Sequence, residues 1–351
     1  MTLEETLAKI RPVDRSSEEA ARRHLARLTK PEGSLGRLEE LAFRTAVIQR
    51  SVPPHLGRKL LFVFAADHGI TDEGVSAYPK NITGQMTDNF LAGGAAINVM
   101  TRHYGVETIF VDVGVDREFQ PRAGLRDRKV RRGTANFARG PAMTRQDAQR
   151  SVEIGIELAC EAAAEDLFLL GAGEMGIGNT SSAAAILCAL TGVSPRDAVG
   201  RGTGIDDATL ARKIAAVEKG LETNRPDASD ALDVLVKVGG FEIGAITGVI
   251  LGAASLAVPM VLDGFVCGAA ALLAQRFSPA VRDVLFASHR SAENAHGLML
   301  EALELAPFFD LQMRLGEGTG ACLLMGLIET SVKIMREMAT FESAGLTEKL
   351  A

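Results

Sequence analysis

Leu60-Leu-Phe-Val-Phe-Ala-Ala66, running into Asp67-His68-Gly69, decides the fold class. Seven consecutive apolar residues have the length of a strand. They lack the alternation of a half-exposed strand, so both faces are expected to be covered. A run of this kind that stops at an acid, a histidine and a glycine is how a buried parallel strand ends at a functional edge. Working outward, Thr108-Ile-Phe-Val-Asp-Val113, Asp166-Leu-Phe-Leu-Leu170, Val258-Pro-Met-Val-Leu262 and Val284-Leu-Phe-Ala287 repeat the pattern. Helical stretches separate them, over 83–91, 94–104, 144–164, 181–190 and 265–274. This alternation predicts an α/β fold, doubly wound around a mainly parallel sheet.

The two chain ends read differently. Residues 17–29 and 35–50 are amphipathic helices on either side of Lys30-Pro-Glu-Gly-Ser34, followed by the linker Val52-Pro-Pro-His55, and no strand is read before them. A final helix is expected from Gly320 to about Thr340. One segment, 243–262, carries no charged residue and has the length of a membrane span. Pro259 interrupts it and no basic cluster flanks it. Gly244, Gly248 and Gly252 instead offer a smooth face for close helix packing, so a buried helix leading into a buried strand is the expectation.

The 351 residues are 47% hydrophobic and 23% charged, with a net charge of −6, no Trp and two Tyr. With neither a basic surplus nor stacking aromatics, nucleic acid is excluded as an expected partner. Cys160, Cys188, Cys267 and Cys322 lie far apart in apolar surroundings, which predicts reduced thiols in a cytoplasmic protein. No membrane association is expected. No histidine and acid cluster has metal-binding spacing, so neither a metal nor a cofactor is expected.

Three glycine loops carry the chemistry. In Leu315-Gly-Glu-Gly-Thr-Gly320 one carboxylate, Glu317, stands in a glycine frame ahead of an apolar helix, with Thr319 as a candidate cap. The helix start attracts anions, and the acid suits a proton or a developing positive charge; the plain alternative is a helix entry with a solvated Glu. Gly171-x-Gly173-x-x-Gly176 meets the dinucleotide fingerprint in form. However, the acid expected some 20 residues on is missing, and Glu174 would repel a pyrophosphate. A single phosphate held at Asn179-Thr180 fits better. The third loop is Gly200-Arg-Gly202-Thr-Gly204, ahead of a helix carrying Lys213, which is either a phosphate counter-charge or a solvated lysine. Asp67-His68 reads as a metal pair, a base or a turn. Asp263, beside Gly264, is either structural or lines a ribose. Ser291 reads as a helix cap that also faces phosphate.

These loops resemble those of the nicotinate-nucleotide–dimethylbenzimidazole phosphoribosyltransferase family. The resemblance rests on Lys30-Pro-Glu-Gly-Ser-Leu-Gly-Arg-Leu38, Ala66-Asp-His-Gly69, Glu73-Gly-Val-Ser76 with Tyr78-Pro79, Gly173-Glu-Met-Gly-Ile-Gly-Asn-Thr180, Lys237-Val-Gly-Gly-Phe241, Leu262-Asp-Gly-Phe265 and Leu315-Gly-Glu-Gly-Thr-Gly320. It spans nearly the whole chain, in order.

The resemblance implies a Rossmann-like large domain (58–325), a small helical domain from both termini (1–57 with 326–351), and a homodimer. It implies transfer of the phosphoribosyl group from nicotinate mononucleotide to 5,6-dimethylbenzimidazole. It further implies that Glu317 is the general base and Glu174 a second acid. Gly176, Gly202, Lys213 and Ser291 would hold the phosphate, Tyr78, Gln85 and Met86 would surround the base, and Leu315 would bind substrate in the loop whose backbone brackets the ribose. Some relatives carry a small hydroxyl residue where Tyr78 stands, so other benzimidazoles or adenine remain open as acceptors. An NAD(P)-dependent oxidoreductase and a non-catalytic nucleotide-binding protein are the readings of other classes.

Overall fold

The computed structural model describes residues 1–202 and 204–347. Thr203 of the Gly200–Gly204 loop and the last four residues of the expected helical domain lie outside the described residues.

Six parallel strands form one sheet: β1 (Arg58–Ala66), β2 (Glu107–Gly114), β3 (Leu125–Asp127), β4 (Leu167–Met175), β5 (Met260–Leu262) and β6 (Leu285–Ala287). Their spatial order is β3-β2-β1-β4-β5-β6. The chain runs outward from β1 through β2 to β3, then returns to place β4 on the other side of β1. The order therefore reverses between β1 and β4, where ligands of doubly wound folds bind at the carboxyl ends of the strands. Phe64 pairs with Glu174 and Ala65 with Met175 at that reversal.

The predicted strands are all present, with two differences. The short β3 is not legible in the sequence, because Leu125-Arg-Asp127 has one apolar residue and lies at the sheet edge. β4 does not stop at Leu170 but continues through Gly171, Ala172, Gly173 and Glu174 to Met175. Glycine is usually depleted in strands, but here two of them are there to admit neighbours. A Cβ on Gly171 would sit 3.0 Å from Leu61 Cδ1 and would also press on Met325. A Cβ on Gly173 would overlap the Glu317–Gly318 backbone. The dinucleotide-like spacing thus reflects packing around a strand, not a phosphate turn.

The uncharged segment lies within a buried helix, Phe241–Ser255, and runs on into β5, as its composition predicts. Its glycines face the helix Arg145–Ala163. Methyl groups on Gly244, Gly248 and Gly252 would strike Ser151, the Val152 carbonyl and Ala159 in turn. Gly155 answers from the other helix, abutting the Ala245 carbonyl. Among the described residues no helix is long and apolar enough to cross a membrane.

Toward the termini, helices Glu18–Arg27, Arg37–Gln49 and Thr319–Glu337 share a second small cluster formed by Ala21, Leu25, Leu28, Ala42, Ala46 and Met335. Leu3 and Ile10 belong instead to the main core, and the Leu3 amide donates to Glu153 on the helix Arg145–Ala163 at 3.3 Å.

Candidate active site

A cleft of about 840 Å³ opens at the reversal of strand order. The end of β4 forms its floor with Glu174, Met175 and Gly176. The start of the helix Asn179–Thr191 forms one wall, and the loops after β5 and β6 and the Arg314–Gly316 segment form the others. Of the residues expected to bind substrate, Glu174, Gly176, Asn179, Thr180, Gly202, Lys213, Gly264, Ser291 and Leu315 line this cleft together.

Lys213 is not solvated, as the plainer reading had it. The helix Asp207–Asn224 carries it inward, where it is 2% exposed. Its Nζ donates to Thr180 Oγ1 at 2.8 Å and to the Gly200 carbonyl at 3.1 Å. Gly202 stands against the same two side chains, since a Cβ there would lie 3.2 Å from Thr180 Oγ1 and 3.4 Å from Lys213 Nζ. Burial holds the ammonium down at about 8, against the attraction of Glu293. A buried cation among a hydroxyl and close glycine backbone is a seat for a compact anion.

Ser291 is not a helix cap. The helix it was expected to start begins only at His296. The Ser291 amide donates to His296 Nδ1 at 2.9 Å, and its hydroxyl accepts from the Glu293 amide at 3.3 Å. Burial, with His289 and Arg290 nearby, lowers His296 to about 3, so its ring is the neutral acceptor that this bond requires.

The glycine frame around Glu317 differs from expectation. Gly316, Glu317 and Gly318 all take left-handed backbone, with φ of 83°, 62° and 85°. Only the middle one has a side chain to penalise, at a cost of roughly 1–2 kcal/mol. Thr319 does not cap the helix Thr319–Glu337: it is the first helical residue, and its hydroxyl donates back to the Gly316 carbonyl at 2.9 Å. The cap comes from Asp263. Its Oδ2 accepts from the Gly318 amide at 3.0 Å, and its Oδ1 accepts from Gly320 at 2.7 Å and from Ala321 at 3.3 Å. The anion seat expected at this helix start is therefore filled by a side chain. Asp263 lies outside the cleft lining and ties the Glu317 loop to the end of β5, whereas its neighbour Gly264 faces the cleft.

Glu317 itself is 5% exposed, and its Oε2 has no hydrogen-bond partner among the described residues. Burial raises its carboxyl, opposed by the backbone N–H of Ile97. Glu174 is close by: a Cβ on Gly316 would overlap its Oε1, while Asn179 Nδ2 donates to its Oε2. Burial, reinforced by the charges of Asp263 and Glu242, lifts Glu174 to about 8. Burial also lifts Asp263, to about 7.

These shifts couple stability to pH. With a folded value near 8 and an ordinary one of 4.5, native Glu174 keeps a proton that the unfolded chain releases. Stability should therefore fall as pH rises across that window. Lys213 acts oppositely, adding stability as pH rises from about 8 to 10.5. In denaturant titrations, Glu174→Gln is expected to flatten the decline below pH 8. A slope equal to that of the unchanged protein would mean that native Glu174 ionises in the ordinary range.

The remaining expected residues lie elsewhere. Gln85 faces a separate cavity of about 690 Å³ with Asp67, Lys80, Asp116 and Arg117, beyond the ends of β1 and β2. Met86, one residue on, packs against the main core. Tyr78 is 51% exposed and outside the cleft lining. The helix Ile82–Ala92 that carries Gln85 and Met86 does reach the end of β4, where the Ile177 amide donates to Thr83 Oγ1 at 3.1 Å.

The Asp67-His68 pair is split: Asp67 lines the cavity beyond β1 and β2, with its Oδ1 unpartnered among the described residues, whereas His68 is closed off. Asp67 accepts the Asp116 amide at 2.7 Å. His68 is fully buried, with Nε2 2.7 Å from Glu242 Oε1 and Nδ1 3.1 Å from Ser182 Oγ. No group of three or more metal-ligating side chains occurs among the described residues.

Sequence reading missed Glu242, Glu293, His289, Arg201 and Arg314. The last four line the cleft. Glu242 follows the glycine pair Gly239-Gly240, Arg201 sits inside the Gly200–Gly204 loop and Arg314 directly precedes Leu315, so these three had a nearby signal, and Glu293 and His289 had less.

A doubly wound sheet with a buried lysine seat and facing acids at its strand reversal describes a class of enzyme that moves a phosphorylated sugar. A family model described as phosphoribosyltransferase matches residues 10–346, and the chain belongs to that family. Among the relatives it is similar to, proteins from Geobacter metallireducens and Geobacter sulfurreducens are 53% and 54% identical. The alignments cover 98% and 99% of this chain and 98% of each relative, and both relatives are named nicotinate-nucleotide–dimethylbenzimidazole phosphoribosyltransferase. The crystal structure of CobT from Thermus thermophilus superposes with a TM-score of 0.90 at 47% identity, covering 98% of this chain and 100% of that one.

Proposed function

We propose that this protein transfers the phosphoribosyl group of nicotinate mononucleotide to 5,6-dimethylbenzimidazole, releasing nicotinate and forming α-ribazole 5′-phosphate with inversion at the anomeric carbon. The observation that carries the reading is an anion seat in the cleft together with a buried acid, Glu317, which stands just behind the lining next to Glu174. Lys213 with Thr180 and Gly202 suits a phosphate, and the buried, unpartnered carboxylate oxygen of Glu317 suits a proton.

The chemistry needs little more. The bond from the anomeric carbon to the pyridinium nitrogen breaks with its electron pair going to that nitrogen, so nicotinate leaves without a general acid. The unprotonated imidazole nitrogen of the acceptor donates its lone pair to the carbon, and the proton on the other nitrogen must then be lost. Glu317 takes it. Two neighbouring buried acids do not both ionise readily. Glu174, at about 8, keeps its proton near neutrality, which leaves Glu317 to act as the base. Carboxylate charge beside the sugar also stabilises oxocarbenium character as the old bond breaks. Holding the phosphate in the Lys213 seat fixes the anomeric carbon between departing and arriving bases.

The test is incubation of the purified protein with both substrates and measurement of nicotinate release. No release at any pH from neutral to alkaline would remove the assignment. The acceptor is the finer question. Parallel reactions with other benzimidazoles and adenine, with products identified by mass, decide whether Tyr78 and the Gln85–Met86 region admit another base.

We further propose a homodimer and a cytoplasmic location. The adjacent helices Ala96–Tyr104 and Thr319–Glu337 each expose a large apolar side chain, Val99 and Leu327, which suits cover by a second copy. Cys160, Cys188, Cys267 and Cys322 are free thiols, which suits a reducing compartment. A monomer mass in sedimentation equilibrium would reject the first proposal, and recovery outside the cytosolic fraction would reject the second.

A further inference from the structure

Nicotinate mononucleotide carries two anionic groups, a phosphate and a ring carboxylate, and the cleft that would receive it is lined by Glu174 and Glu293. A carboxylate entering such a place needs a cation. Among the described residues three cationic side chains line the cleft: Arg201, Lys213 and Arg314. Arg201 is engaged, with Nη1 donating to the Ile205 carbonyl at 2.8 Å and Nη2 paired with Asp207. Lys213 is committed to the Thr180 and Gly200 seat. Arg314 is exposed, and among the described residues it has neither an ion pair nor a side-chain hydrogen bond.

Its backbone is nevertheless fixed. On one side the Met313 carbonyl accepts the Ala292 amide at 2.9 Å. On the other, Gly316 lies so close to Glu174 that a Cβ there would overlap it, and Gly318 is held by Asp263. Between these anchors Leu315, 57% exposed, forms an apolar shelf at the cleft. An aromatic ring lying on Leu315 with a charged edge toward the guanidinium matches this arrangement. A guanidinium presents paired donors in the plane that a carboxylate requires.

The geometry points to Arg314 as the residue that reads the ring carboxylate, and hence as the determinant that separates nicotinate mononucleotide from its amide counterpart, nicotinamide mononucleotide. The inference rests on the functional reading above. It adds a specificity that the reading does not contain, because the phosphate seat and Glu317 treat the two nucleotides alike. The two nucleotides differ only at that one ring substituent. A charge-assisted pair made by one and not the other should favour the acid by about 10- to 100-fold.

The test is calorimetric binding of each nucleotide to the whole protein without acceptor, comparing the unchanged protein with Arg314→Gln. The glutamine variant is expected to lose about tenfold or more of the preference for the acid over the amide. A preference equal to that of the unchanged protein would overturn the assignment of Arg314. Failure of the unchanged protein to bind either nucleotide would instead overturn the functional reading on which the assignment rests. Because Arg314 is exposed and makes no side-chain hydrogen bond or ion pair among the described residues, the variant is expected to melt at the temperature of the parent, and that melt is the control for folding.

Discussion

Glu317→Gln is expected to lower the rate of nicotinate release by about 10²- to 10⁴-fold, the usual contribution of a positioned general base, while the protein folds normally. The substitution keeps shape and volume but removes the ability to take a proton. The site tolerates it structurally because Oε2 has no partner to lose among the described residues. The loop's conformation does not depend on the carboxylate either, since Asp263 anchors it through the Gly318, Gly320 and Ala321 amides. Burial raises the Glu317 carboxyl, so turnover in the unchanged protein should climb with pH as that group ionises, and the variant should lack the climb. The check is steady-state kinetics across pH with a circular dichroism spectrum of each protein. Near-normal turnover in the variant would take Glu317 out of the mechanism.

The second large effect is expected from Gly173→Ala, a change of one methyl group. Gly173 lies in β4, and its missing side chain leaves room for the Glu317–Gly318 peptide to cross the strand. An added Cβ would overlap backbone atoms, which cannot turn aside as a side-chain tip can. Either the strand or the loop must move. Overpacking of this sort costs roughly 1–3 kcal/mol, to be read as a lower midpoint in denaturant. Displacing a catalytic group by about 1 Å costs on the order of 10²-fold in rate, so activity should fall further than stability. Loss of stability with undiminished turnover would show that the loop's position over β4 does not set the geometry of Glu317.

Both predictions depend on a relation between distant segments, and local sequence patterns do not reach that far. Such patterns place Gly171 and Gly173 in a loop after β4, because glycine weakens strands and the spacing imitates a phosphate turn. Strand propensity is overridden by contacts with Met325 and with the Glu317 loop, far along the chain. Asp263 and Thr319 show the same limit. A threonine ahead of an apolar run is a sound local cap, but an acid delivered by β5 holds three backbone donors at once. Lys213 could be read as solvated or buried. Glu293 and His289 gave little local signal, because what distinguishes them is which other chain segments they meet.

What the sequence by itself determined is the alternation of strand and helix, the buried strand ending at Asp67-His68, the close-packing face of Gly244, Gly248 and Gly252, and the motif set that carries the family resemblance. These are properties of neighbouring residues, set by hydrophobic periodicity and backbone preference within a few turns of chain. Only the tertiary structure decided that β4 runs on to Glu174, that the helix start beyond Glu317 is already occupied by Asp263, and that Lys213 and Arg314 face one cleft. The physical reason is that a strand reversal brings together strand ends that lie far apart in the chain. Burial and close approach there set charge states and exclude side chains, and neither quantity exists until the sheet has closed its order around β1 and β4.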